Sequence, residues 1–127
     1  MTNRKKGTEK RKEIGTEKDL EQVRESTKKI YETHREKDED DFPPEWRQEY
    51  WRNRYFARTA WEHAENAAFA NLVDEQKSML PALAASNAKL VKDVQATTDV
   101  LAMLNLVSTS LSVLAEVITI LGRVIPR

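Results

Sequence analysis

Two histidines are the first place to look for chemistry in this 127-residue chain, and they stand far apart, at His34 and His63. The second lies in Trp61-Glu62-His63-Ala64-Glu65. A zinc-binding helix needs another histidine four residues on, and none is there. Both histidines therefore read as surface or interface residues. There is no cysteine, which excludes disulfides, thiolate metal sites and a cysteine nucleophile. Ser108, Ser110 and Ser112 have no nearby base to activate them. The carboxylates Asp38 to Asp41 sit in polar sequence, where nothing raises a pKa for acid–base work. Three glycines, at 7, 15 and 122, make no phosphate-cradling loop. The expectation is a protein that is not an enzyme, with no cofactor, no metal ligands and no small-molecule substrate.

The other chemically distinctive stretch mixes aromatics with arginines. Seven of the nine aromatic residues fall between Phe42 and Trp61, and Trp46, Arg47, Trp51, Arg52, Arg54 and Arg58 interleave within it. On a helix, residues four apart share a face, so Trp46 lies over Tyr50 and Arg47 over Trp51. An arginine over an indole contributes about 0.5–1 kcal/mol. Three readings follow. The first is a core or partner interface whose arginine heads reach water. The second is a helix lying in a membrane interface, where Trp, Tyr and Arg belong. The third is a single-stranded nucleic-acid surface, with bases stacked on rings and phosphates on arginines. Against the third, Glu45, Glu49, Glu62 and Glu65 offset the arginines, whereas phosphate binding wants net positive charge. The six interleaved Trp and Arg residues are thus candidate lipid or nucleic-acid contacts, nucleic acid being the weaker case.

The elements that must position these residues follow from charge and periodicity. The chain has 21 basic and 21 acidic side chains, and 12 of each lie in residues 1–41. Residues 1–16 hold almost no apolar side chains and are expected to be a disordered charged tail. Its basic clusters, Arg4-Lys5-Lys6 and Lys10-Arg11-Lys12, alternate with glutamates and read as solubilising. Residues 17–41 read as a weak charged helix and an acidic linker. Thr16 and Asp19 approximate a capping box, and Leu20, Val23, Thr27, Ile30 and His34 form a thin stripe at 3/4 spacing. Phe42-Pro43-Pro44 stops that helix. A second helix is expected near 44–79, alanine-rich towards its end. At Leu80-Pro81 the chain should kink or reverse, and reversal is preferred.

From Ala82 to Leu121 there is no Gly or Pro, so one long helix is expected near 82–121. A heptad position runs through Leu83, Leu90, Thr97, Leu104, Leu111 and Ile118. Its companion includes Val94 and Leu101 early on, then Val107, Leu114 and Leu121, so the seam shifts near the polar Thr97-Thr98-Asp99. Gly122 suits the residue just past this helix. The apolar surface is wider than one seam. It exceeds what so short a chain should cover, so Leu83, Leu90, Val94, Leu101, Leu104, Val107, Leu111, Leu114, Ile118 and Leu121 are expected to form an interface with a partner.

Val100 to Leu121 is also long enough, at 22 residues, to cross a hydrocarbon core of about 30 Å. Its twelve aliphatic side chains supply about 4–7 kcal/mol of insertion energy, while Glu116 alone costs about 2.5–3.5 kcal/mol and the polar stripe of Asn105, Ser108, Thr109 and Ser112 adds to that. Insertion is therefore marginal. The expected fold is all-α, long helices forming a hairpin or coiled-coil-like bundle, with residues 42–127 as an assembly module. The expected function is that of a non-catalytic structural or adaptor protein that binds itself or a helical partner. The alternatives are a C-terminally anchored or pore-forming membrane protein and a nucleic-acid-binding accessory protein. No secretory signal opens the chain, which favours an intracellular location.

Overall fold

Thr16 begins the ordered architecture as the sequence suggests. Its hydroxyl accepts from the Asp19 amide at 3.3 Å, and the Asp19 carboxylate accepts from the Thr16 amide at 3.0 Å. This reciprocal cap opens α1 (Glu17–Arg35). The computed structural model describes residues 14–122, and among these every regular element is helical. Most of the expected 1–16 tail lies outside the described residues, but its last members, Gly15 and Thr16, are held in the fold. After α1 come α2 (Arg47–Asn66), α3 (Asp74–Gln95), α4 (Val100–Thr109) and α5 (Leu111–Leu121), with short 3-10 turns at Glu39–Asp41, Pro44–Trp46 and Phe69–Asn71.

Each of the first three helices buries one stripe at 3/4 spacing. In α1 it is Leu20, Val23, Thr27, Ile30 and His34; in α2, Tyr50, Asn53, Ala57, Ala60 and Ala64; in α3, Gln76, Leu80, Leu83, Asn87, Leu90 and Val94. Leu104, Val107, Leu114, Val117 and Leu121 supply the facing surface from α4 and α5. Each fully buried Leu contributes about 1.5–3 kcal/mol. The stripes assemble into a four-cornered bundle. α1 packs on α2 and α3, and α5 packs on the same two from the other side, with α4 continuing its column. α2 and α3 are consecutive in the chain yet stand at opposite corners, so the connection 67–73 crosses one end of the bundle.

Polar side chains from neighbouring helices close the helix ends. No described residue has a positive φ, so no helix ends in the left-handed glycine cap that commonly satisfies terminal carbonyls. Arg24 of α1 instead donates from Nε to the Ala64 carbonyl (2.9 Å) and from its terminal nitrogen to that of Ala67 (2.6 Å), closing α2. Gln76 of α3 donates to the Ile120 carbonyl at the end of α5 (2.8 Å), and its Oε1 accepts from the Val73 amide (3.0 Å), capping the start of its own helix. The Tyr50 hydroxyl lies 3.0 Å from the His34 carbonyl and 2.8 Å from that of Lys37, and its proton closes α1. Gly122 does end α5, but with φ −84° rather than in the left-handed region. Its lack of a side chain matters because the His63 ring lies 3.1 Å from where a Cβ would sit.

Three expected boundaries are corrected. The helix expected near 44–79 stops at Asn66. Alanine's preference over other helix formers is only tenths of a kcal/mol per residue, and the Arg24 bonds to the carbonyls of Ala64 and Ala67 hold the chain in its exit path. The reversal falls at 67–73, and Pro81 neither reverses nor ends a helix: it lies inside α3. Proline there costs about 3 kcal/mol, partly because the carbonyl four residues back loses its donor. That carbonyl, of Lys77, accepts the Gly15 amide at 2.8 Å. Finally, the single helix expected over 82–121 is three. The Thr97 hydroxyl donates to the Asp93 carbonyl (2.9 Å) at the end of α3, and the Asp99 carboxylate accepts from the Ala102 amide (3.0 Å) to start α4. At Ser110 the path bends by 49° between α4 and α5.

Candidate interaction surface

The proposed C-terminal interface is largely covered by the chain itself. Leu83, Leu90, Val94, Leu104, Val107, Leu114 and Leu121 are buried among the other helices, while Leu101, Leu111 and Ile118 are half-buried. The expectation that this apolar surface exceeds what the chain can shelter fails on geometry. Because the segment is broken and bent, α4 and α5 each rotate their own stripe into the bundle and carry the small core face of α2. The polar residues Asn105, Thr109, Ser112, Glu116 and Thr119 are exposed. No single described helix is long and apolar enough to cross a membrane; α4 and α5 reach that length only together, across the 49° bend.

In α2 the inward stripe is mostly alanine, and this decides where the aromatics go. Of the large apolar side chains, Trp51 and Tyr55 are 46% and 64% exposed on the outer face. Phe56 and Trp61 lie at its edges, Trp61 stacked on Tyr31 of α1 with centroids 5.6 Å apart. The guanidinium of Arg54 sits 4.9 Å from the centre of the Trp51 ring. The charges alternate in sign: Arg52 pairs with Glu49 (3.7 Å) and Arg58 with Glu62 (3.0 Å). Trp46 and Arg47 serve a different purpose. Trp46 packs against a second small core of Phe42, Tyr50 and Leu104. Arg47 donates to the carbonyls of Glu39 (3.1 Å) and Phe42 (3.2 Å), fixing the segment that joins α1 to α2. The six Trp and Arg candidates thus divide into two that build the fold and four on or beside the outer face.

His34 is not at the surface. It is fully buried, which corrects the sequence expectation, and the signal was present in its place at the end of the α1 stripe. Its Nδ1 lies 2.8 Å from the Ile30 carbonyl, which assigns the proton to that nitrogen. Nε2 is buried without a hydrogen-bond partner. Burial pushes the imidazole pKa down, the bond to Ile30 opposes this, and the nearby positive charge of Arg54 lowers it further. The ring is neutral at pH 7. His63 is half-buried at the other end of the bundle.

Among the described residues, no group of three or more histidines and carboxylates could hold a metal ion. An open depression of about 430 Å³ between α3 and α5 is lined by Ser86, Ser112, Val113, Ala115, Glu116, Thr119 and Ile120. Glu116 is its one ionisable group, which gives no acid–base pair there. No protein-family model matches the chain, and no curated protein or solved structure matches it.

Proposed function

We propose that this chain is a non-catalytic helical adaptor that self-associates through the outer face of α2. The observation that carries the reading is the exposed pair Trp51 and Tyr55, flanked by Arg52 and Arg58. Trp, Tyr and Arg are the residues that dominate interface energetics, the two aromatics because they bury large area at low entropic cost. The alternation of Arg52 and Arg58 with Glu49 and Glu62 supports a second copy as the partner. A two-fold interface sets a patch against itself, so it must carry both signs of charge. The same alternation disfavours nucleic acid and anionic lipid, which call for an unpaired positive surface. Side-by-side α2 helices would pack in a coiled-coil-like manner, with Leu101, Leu111 and Ile118 on the remaining accessible apolar surface.

Light scattering on the full chain over roughly 1–100 µM tests this. The expected result is a discrete oligomer that Trp51→Ala with Tyr55→Ala converts to a monomer of unchanged helicity. A chain that is monomeric throughout this range overturns self-association and points to a helical partner of different sequence. Flotation with liposomes that survives the double substitution would support the membrane alternative, with Val100–Leu121 as the bent inserting segment.

A further inference from the structure

The connection between α1 and α2, residues 36–46, is clasped over one end of the bundle by side chains from the start of α2. Tyr50 holds the carbonyls of His34 and Lys37, and Arg47 holds those of Glu39 and Phe42. The Phe42 ring lies 4.8 Å from Tyr50, and the Trp51 indole donates to the Glu39 carboxylate at 2.6 Å. The His34 ring sits beneath this clasp, 6.4 Å from the centre of Tyr50.

The surroundings of His34 suit a neutral ring and not a charged one. From α2 it meets Tyr50 and, electrostatically, Arg54; from the connection it meets the Lys37 end of the segment through Tyr50. Arg54 donates to the Tyr50 hydroxyl at 3.0 Å and also interacts with Tyr31 of α1. The Glu39 carboxylate is engaged by Trp51 on the outside. No acceptor meets Nε2. An imidazolium would therefore have an unsatisfied donor in a dry site with a cation nearby, and water is its remedy.

We propose that His34 is a proton-operated latch: protonation at Nε2 releases residues 36–46 from the end of the bundle, uncovering Phe42 and Tyr50 and freeing Trp51 from Glu39. The proton comes from solvent and returns to it on closing. The closed form binds fewer protons than the open one, so it is complete above the ordinary histidine pKa of about 6.5 and yields as the pH falls below that value. The latch itself requires no partner. Its effect on recognition rests on the α2 reading above, because Trp51 belongs to both.

The test is amide hydrogen exchange and circular dichroism on the full chain between about pH 7.5 and 5. Protection over residues 38–46 should fall about tenfold or more on acidification, while protection in α3 and overall helicity persist. His34→Asn keeps a donor for the Ile30 carbonyl but cannot gain a proton, and should hold its protection. His34→Phe, which keeps the ring volume, is the second non-titrating variant. Were both to misfold, the Cε1 proton of His34 in the unmodified chain supplies the reading: its titration must coincide with the loss of protection. Equal loss in the unmodified chain and a variant, no loss in the unmodified chain, loss of all helicity in the same step, or a His34 titration separate from the opening would each overturn the latch. None of these readouts involves self-association, so the α2 reading can fail independently.

Discussion

The amide of Gly15 donates to the carbonyl of Lys77 at 2.8 Å, and Lys77 is the residue whose helical partner Pro81 removes. A glycine ahead of one helix thereby supplies the donor that a proline inside another helix cannot. A Cβ on Gly15 would fall 2.4 Å from the Leu80 Cβ, 2.5 Å from the Lys77 oxygen and 3.1 Å from the Pro81 Cδ. Glycine is required here for close approach, not for an unusual backbone angle.

Gly15→Ala is expected to destabilise the chain by about 1–3 kcal/mol, because α1 and α3 must separate to admit the methyl group. Urea unfolding followed by circular dichroism measures this. An unchanged midpoint would show that the contact does not hold α1 against α3.

Arg24 offers a sharper separation of charge from geometry. Arg24→Met keeps much of the aliphatic stem but leaves the Ala64 and Ala67 carbonyls without their donors, at a cost of about 1–3 kcal/mol. Arg24→Lys should recover less than half of this, since a single ammonium cannot reach two carbonyls with a fixed fork. Thermal unfolding of the three proteins ranks them; equal stability of the Lys variant and the native chain would refute bidentate capping.

Gln76→Glu preserves the acceptor for Val73 and replaces the donor to Ile120 with a carboxylate. Burial and the facing carbonyl should raise the folded-state pKa of this new group above the unfolded value of about 4.3. Relative to the native chain, the loss of stability should be small at low pH and grow as pH rises through that value, reaching about 2 kcal/mol or more near neutrality. A loss independent of pH between about 4 and 7 would contradict it.

Asp99→Ala removes the cap that starts α4 and should cost about 1 kcal/mol, whereas Asp99→Asn should retain most of that stability. Equilibrium unfolding again decides. If alanine were neutral, the break between α3 and α4 would owe nothing to this side chain.

Much of the architecture is legible residue by residue. The cap at Thr16 and the stripe Leu20, Val23, Thr27, Ile30 and His34 both express local rules: capping chemistry and a 3.6-residue period. The all-α class follows from the same rules. What failed were inferences that needed a partner helix to be known. Alanine at 67 and 68 continues a helix by propensity, yet Arg24, more than forty residues away, fixes the exit there. Pro81 ends a helix by propensity, yet Gly15 supplies the missing donor. The heptad from Leu83 to Ile118 implied a partner chain, yet Leu83 and Leu90 are buried in the bundle from α3, and beyond the bends at 96–99 and Ser110 the buried Leu104, Val107 and Leu114 belong to helices that pack on α2, whose inward face of Ala57, Ala60 and Ala64 leaves room. The sequence by itself determined which residues are apolar and at what period. Tertiary structure decided which of them meet, because contacts between distant segments outweigh local preferences worth only tenths of a kcal/mol per residue.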